Sequence, residues 1–242
     1  MDYAAIYEKK VAWLREAMAK ANAKGFVVGM SGGVDSAVTA VLCKAACPAS
    51  TLGLLLPINS DPKDLEDALL VAGEYQIPTR TIDLSGTFER FVGEVTGGGA
   101  WKSTPVAIAN IKPRLRMTAL YYVANEHNYL VVGTGNATEL ALGYFTKYGD
   151  GGVDLLPLGN LSKREVYGLA RFLKLPAAIL TKAPSAGLLP GQTDEGELGY
   201  SYQALEEVLH GSGGDPEVRA FVEKRRRENR HKIVPPPLAP TT

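Results

Sequence analysis

Residues 26–38 read FVVGMSGGVDSAV, and this stretch decides the fold. Three apolar, strand-forming residues end at a glycine; two adjacent glycines, two serines and a carboxylate follow before helix-forming residues return. Paired glycines between a strand and a helix let the backbone turn tightly and aim its N–H groups at an anion, which the helix N-terminus favours further. The expected product is a phosphate cradle. It is not a Walker A loop, because no Gly-Lys-Ser/Thr ending is present and no lysine follows until Lys44. Ser31 and Ser36 supply hydroxyls in its place. A carboxylate beside bound phosphates is repelled unless a cation lies between them, which makes Asp35 a candidate Mg²⁺ ligand. The alternative is a Gly-rich turn in which Asp35 only complements the helix dipole.

Outward from that loop, four apolar runs alternate with helical spacing: GFVVGM (25–30), STLGLLLP (50–57), PTRTIDL (78–84) and NYLVVGTG (128–135). The alternation predicts an α/β protein, a doubly wound parallel sheet with helices on both faces. Asp61 followed by Pro62 suits a helix N-cap and first turn, and Ser162 to Glu165 reads as a capping box. If the strand order is of the 3-2-1-4-5 type, the first and fourth strands are neighbours and the loop VVGTGNATE (131–139) borders the crevice of the first. That loop offers Thr134 and a second carboxylate, Glu139, which otherwise reads as an early-helix acid on a solvated face. Residues 143–161 and 183–199 are expected as long irregular loops, which in compact domains are usually functional.

The 242 residues suit one sizeable α/β domain over 1–242, ending in a Pro-rich tail at about 234–242. Lys plus Arg number 26 and so do Asp plus Glu, which argues against a protein whose work is coating nucleic acid. No apolar run approaches the ~20 residues of a membrane helix, and the N-terminus is amphipathic, so a soluble cytoplasmic protein is expected. Cys43 and Cys47, four apart on one helix, read as free thiols. Arg225 to Arg227 read as a solvated face, His127 and His210 as helix-end imidazoles, and Trp13 and Trp101 as packing residues, with an interface open to Trp101.

SGGVDS resembles the signature of the N-type ATP pyrophosphatases, whose adenine nucleotide alpha hydrolase-like fold splits ATP into AMP and pyrophosphate to activate a carbonyl or carboxyl oxygen. NIKPRLRM (110–117), FTKYGDGGVDLLPL (145–158), KAPSAGLLPGQTDEGELG (182–199) and RHK (230–232) are, taken together, similar to ammonia-dependent NAD synthetase over nearly the whole chain. The resemblance implies ATP contacts from Gly29, Met30, Ser31, Gly32, Gly33, Val34, Asp35, Ser36, Thr134, Lys163 and Ser185, and Mg²⁺ held by Asp35 and Glu139. It implies deamido-NAD contacts from Arg114, Lys147, Asp154, His231 and Lys232. Lys163 would neutralise charge as pyrophosphate leaves, Arg114 offers a planar fork, and Asp154 could accept from a ribose hydroxyl. Asp150 either orients or deprotonates ammonia or caps its own Gly-Gly turn. Three positions depart from the family pattern: Pro113, which suggests a helix starting there; Leu55, where an arginine is common; and Ser185, which replaces a threonine but keeps its hydroxyl.

The implied reaction is attack of the nicotinate carboxylate on the α-phosphorus of ATP, then ammonolysis of the acyl adenylate to NAD and AMP. Because an acyl adenylate hydrolyses readily, residues 185–198 are expected to act as a lid with Gly187 and Gly191 as flexible points. Free ammonia is the expected nitrogen source, with a separate glutaminase as a possible partner, and the resemblance implies a homodimer with a shared dinucleotide site. The rivals are an enzyme adenylating a tRNA base, which calls for a basic surface and, for thiolation, a Cys-x-x-Cys pair, and a nucleotide-binding regulatory module without turnover.

Overall fold

The computed structural model describes residues 1–99, 102–188, 191–211 and 213–240. Trp101, proposed above for packing or an interface, lies outside them. The first half runs α1 (Tyr3–Lys20), β1 (Gly25–Gly29), α2 (Val34–Ala46), β2 (Thr51–Leu55), α3 (Pro62–Glu74), β3 (Thr79–Thr81) and α4 (Ser85–Val95). After a short 3₁₀ turn come α5 (Pro105–Ala109), α6 (Ile111–His127), β4 (Tyr129–Val132) and α7 (Ala137–Leu142). The remainder is helical: α8 (Lys163–Phe172), α9 (Ala177–Thr181), α10 (Asp194–Leu198), α11 (Tyr202–Leu209), α12 (Pro216–Glu228) and α13 (Arg230–Ile233).

The four strands pair in parallel in the order β3-β2-β1-β4, with Val27 opposite both Leu52 and Val131. Alternate residues explain the unbroken apolar runs. Phe26 and Val28 face a core built from α1, α2, α3, α8 and α9, while Val27, Leu54 and Val131 face α6 through Val123 and Ala124. Both faces are covered, so neither set of side chains can be polar. The expected fifth position is reduced to a single bridge, Val132 to Leu155. The cause is Asp154: its carboxylate accepts from Val131 N–H at 2.8 Å while its own N–H donates to Val131 C=O at 2.9 Å, so a side chain fills the place of the next strand. A third, smaller core joins α7, α10, α11 and α12 through Leu142, Leu198, Leu205, Val218 and Val222.

Local signals operate as expected. Asp61 caps α3 through Lys63 N–H with Pro62 in the first turn, and Ser162 and Glu165 form a reciprocal capping box on α8. Pro113 does not begin a helix. It sits in the first turn of α6, two residues after the start at Ile111, where its missing N–H breaks nothing that a first-turn residue would have made inside the helix. Residues 183–199 are not wholly irregular, since α10 occupies their end. Cys43 is buried and Cys47 half-buried, both free, and burial pushes the Cys43 thiol up. Arg226 and Arg227 are exposed, as expected of a solvated face, but Arg225 is half-buried. Trp13 is 40% exposed, so its ring is covered over only part of its surface. His127 lies at the end of α6 against the Tyr129 ring, and His210 caps the end of α11.

Lys182, just after α9, ties the 183–199 segment to α3: its Nζ lies 2.7 Å from Asp64 Oδ1 and 2.8 Å from Asp67 Oδ2. Lys63 Nζ approaches the other Asp67 oxygen at 3.0 Å. Burial pushes the Asp67 carboxyl up, but the two lysines outweigh it and hold it below its ordinary value. The folded state therefore favours the ionised form, and the stabilisation is present above the ordinary carboxylate range and lost as pH falls through the lowered value. Asp67→Asn should cost roughly 1–3 kcal/mol at neutral pH, and the gap to wild type should narrow in acid. Urea denaturation at pH 7 and pH 3 checks this; equal midpoints at pH 7 would contradict it.

Candidate active site

A cavity of about 500 Å³ opens at the C-terminal ends of β1, β2 and β4, the place where open α/β sheets bind ligands. Its floor begins with the 29–36 loop. Gly32 has φ +77, and a Cβ there would lie 2.3 Å from the Asp64 carbonyl oxygen, so the turn accepts only glycine. Gly33 caps α2 with no side chain, which leaves the first-turn amides free of a side-chain acceptor. The two serines serve the loop itself. Ser36 Oγ donates to Gly33 C=O at 2.9 Å and accepts from Ser31 N–H at 3.2 Å, and the two hydroxyls lie 3.1 Å apart. Ser36 is buried, so it builds the cradle, while Ser31 is exposed at its rim.

At the mouth of the cradle three helix starts deliver charged groups to one point. Lys163, the first residue of α8, places Nζ 2.6 Å from Asp35 Oδ2 and 3.2 Å from Glu139 Oε1. Its side chain is only 4% exposed. Asn136, fully buried, organises the pair: its Nδ2 donates to Asp35 Oδ1 at 2.9 Å, and it forms a capping box with Glu139 at the start of α7. The Tyr202 ring lies 5.1 Å from the ammonium, and its hydroxyl donates to the buried Asp194 at 2.7 Å. Burial pushes the Glu139 carboxyl up to about 7, with Lys163 pulling it down and Asp35 pushing it up further. Burial works to lower the Lys163 ammonium, but Asp35 and Glu139 outweigh it and hold it above its ordinary value.

Two carboxylates on one ammonium are also two hard oxygen donors within reach of one cation. Among the described residues no group of three His, Cys, Asp or Glu could hold a metal. A site with two carboxylates suits Mg²⁺, which completes its shell with water and substrate phosphates.

Thr134 and Ser185 line the same cavity, as does Leu55 from the end of β2. Asp150 also reaches it, and its carboxyl accepts from Thr146 N–H at 2.9 Å, four residues back, and not from the following Gly151 or Gly152, whose N–H groups go to Thr146 C=O and Gly149 C=O. Lys232 lines it while donating to Gly143 C=O at 2.7 Å and Phe145 C=O at 2.9 Å. Five expected residues are not brought to the cavity wall: Gly32, buried in the turn behind it, and four others. Arg114 is exposed on α6; Lys147 Nζ donates to His231 C=O at 2.6 Å; His231 is itself exposed; and Asp154 spends one oxygen on Val131 and the other on Tyr121 OH at 2.9 Å. Sequence reading missed Arg116, which faces the cavity with Nε donating to Leu56 C=O at 3.0 Å, and it missed Asn136, Asp194, Tyr202 and Lys182. For Asn136 a signal existed, the N-cap spacing of Asn and Glu in NATE.

The 183–199 segment closes one side. Ser185 Oγ donates to Gln192 C=O at 2.6 Å, Leu188 N–H donates to Gln192 Oε1 at 2.9 Å, and Lys112 Nζ reaches Leu188 C=O at 3.0 Å. Gly187 and Gly191 take φ +61 and +68, and Ser185 to Gly187 are exposed.

The family model described as NAD synthase matches residues 6–236. The NH(3)-dependent NAD(+) synthetase of Carboxydothermus hydrogenoformans is 51% identical over 225 residues, 93% of each chain. A solved structure described as NMN synthetase from Francisella tularensis superposes with a TM-score of 0.94 at 37% identity, over 100% of both chains. The NH3-dependent NAD synthetase from Campylobacter jejuni, solved with nitrate, gives a TM-score of 0.85 at 30% identity over 99% of this chain and 100% of its own. Likeness of this depth across nearly the whole sequence means that the chain belongs to the NAD synthase family.

Proposed function

We propose that the chain amidates deamido-NAD with ammonia, consuming ATP and releasing AMP and pyrophosphate, the last step of NAD formation. The observation that carries this reading is the convergence of Asp35, Glu139 and Lys163 at the mouth of the 29–36 cradle. Amides of the Gly32–Gly33 turn and the start of α2 bind the triphosphate. Asp35 and Glu139 would hold Mg²⁺, which supplies charge neutralisation between the phosphates and the carboxylates. Lys163, freed from one carboxylate, is positioned to stabilise the departing pyrophosphate. Thr134 and Ser185 are proposed as further ATP contacts. The nicotinate carboxylate attacks the α-phosphorus, and ammonia then displaces AMP from the mixed anhydride. Asp150, at the cavity wall, is the candidate to orient that ammonia. No protein nucleophile is required; positioning and charge stabilisation carry the rate.

Residues 185–198 are proposed as the lid that keeps water from the acyl adenylate. Arg114, Lys147, Asp154 and His231, lying off the cavity wall of their own chain, are proposed as the contribution of each subunit to a dinucleotide site shared across a homodimer. The chain is proposed to work in the cytoplasm on free ammonia or on ammonia from a separate glutaminase. Among the described residues no helix is long and apolar enough to cross a membrane.

A second reading, amidation of nicotinate mononucleotide, is favoured by the likeness to the Francisella enzyme; the 51% identity to the Carboxydothermus enzyme favours the dinucleotide. Incubating the chain with ATP, Mg²⁺, an ammonium salt and each substrate separates them. We expect NAD, AMP and pyrophosphate from deamido-NAD at a kcat/KM at least tenfold above that for the mononucleotide. ADP as product overturns the mechanism, and a preference for the mononucleotide moves the substrate.

Three variants test the site. Asp35→Asn and Glu139→Gln should each lower kcat by roughly 10²–10³-fold, the scale of losing one electrostatic stabiliser, with folding retained. Gly32→Ala should weaken ATP binding, because a non-glycine residue at φ +77 is strained and its Cβ meets the Asp64 carbonyl. Near-normal ATP binding by Gly32→Ala, measured by calorimetry, would remove the cradle from the argument.

A further inference from the structure

Arg225 sits near the end of α12 in the run KRRRE, yet it differs from the arginines beside it. Arg226 and Arg227 are exposed, whereas Arg225 is half-buried and lines the active-site cavity. Its Nε is buried and has no hydrogen-bond partner among the described residues. A buried, unpaired guanidinium N–H is costly, and native structures rarely keep one without a use.

Its backbone is fixed. Arg225 C=O accepts from both the N–H and the Nδ2 of Asn229, at 3.0 and 3.1 Å, and the same Nδ2 lies 3.1 Å from Leu142 C=O at the end of α7. Lys232 lies close to Arg225. Burial and the like charge of Arg225 both hold its ammonium below the ordinary value, with Asp150 and Glu197 pulling weakly the other way. Glu197 is already engaged by Tyr144 OH at 2.8 Å, Asp150 by Thr146 N–H, and neither forms an ion pair with Arg225 among the described residues. Two cations thus stand together on a wall made by α12, α13 and the segment after α7. Two neighbouring cations with no ion pair of their own among the described residues favour an anion, and the guanidinium of Arg225, which lines the cavity, suits the oxygens of a phosphate.

We propose that Arg225 joins Lys232, which the family resemblance already gives to deamido-NAD, in binding the phosphate attached to the nicotinate riboside of the substrate. The inference rests on the reading that the substrate is a nicotinate nucleotide. It assigns the two anionic groups of that nucleotide to different walls. The phosphate docks on Arg225, which leaves the carboxylate to reach the ATP held at the cradle. Because deamido-NAD and nicotinate mononucleotide share this phosphate, the subsite serves both.

The test compares wild type, R225Q and R225K, using nicotinate mononucleotide and deamido-NAD as phosphate-bearing probes and nicotinate riboside as the probe without phosphate. Binding is measured by calorimetry and turnover by amide formation. R225Q should weaken both nucleotides about 10- to 100-fold, the scale of one charge-assisted hydrogen bond, and leave riboside and ATP binding unchanged. R225K should recover part of the loss. Equal binding of the nucleotides by R225Q and wild type, or an equal loss on the riboside, overturns the subsite. Wild-type binding that depends on Arg225 without any amide formation would overturn the enzymatic reading and leave the subsite standing; a wild type that binds neither nucleotide overturns the subsite.

Discussion

The structure turns on one buried ammonium. Lys163 could not remain charged at 4% exposure without partners, because removing an ammonium from water costs several kcal/mol. Asp35, Glu139 and the ring of Tyr202 are those partners, and each comes from a different helix. The starts of α2, α7 and α8 therefore have to meet, and the parallel order that makes β1 and β4 neighbours is what brings two of them together. The capping boxes of α7 and α8 fix the angle at which each helix leaves its loop. A change in any one of these would separate the carboxylates, and with them the charge pattern that an ATP-cleaving enzyme needs.

The sheet was legible because its strands are buried on two sides, which leaves unbroken apolar runs between helical patterns. All four were placed within a few residues of their observed limits. The fifth was not legible for a specific reason. The position next to β4 is held by a carboxylate, and an aspartate in a glycine-rich loop carries no sequence mark that distinguishes a ladder mimic from a hydroxyl acceptor. The short helix α10 was hidden in the same way: five residues are too few for a helical period to show.

The charged centre was equally legible, since Asp35, Glu139 and Lys163 each sit in a loop or first turn whose chemistry is local. What was not legible is which side of a helix meets the cavity. Successive residues on a helix point about 100° apart, so RLR at 114–116 and RRR at 225–227 each spread their guanidinium groups over opposite directions. Resemblance picked Arg114, and the fold turns Arg116 inward; composition assigned Arg225 to solvent, and the fold turns it into the cavity. Asn136 and Asp194 carry the same lesson from the polar side. Residues at helix starts also act across the fold: Asn136, the N-cap of α7, on Asp35, and Asp194, the first residue of α10, on Tyr202.

A net charge of zero hides an uneven distribution of commitments inside the cavity. Lys163 and Lys182 are each held by two carboxylates. Arg116 and Lys232 donate to carbonyl oxygens, and carboxylates act on them only at a distance, Asp150 and Asp64 on Arg116 and Asp150 and Glu197 on Lys232. Arg225 has neither kind of partner at its buried Nε. A polyanion entering this space therefore meets two different situations. At the cradle it has to compete with carboxylates already holding the lysine, where the proposed divalent cation would reconcile like charges. On the α12 wall it meets two cations that no carboxylate pairs directly among the described residues, Lys232 feeling Asp150 and Glu197 only at a distance, and the proposed phosphate contact lies there. The division follows from which helix start or end each cation occupies, and it gives a substrate with a carboxylate at one end and a phosphate further along only one favourable direction in which to lie.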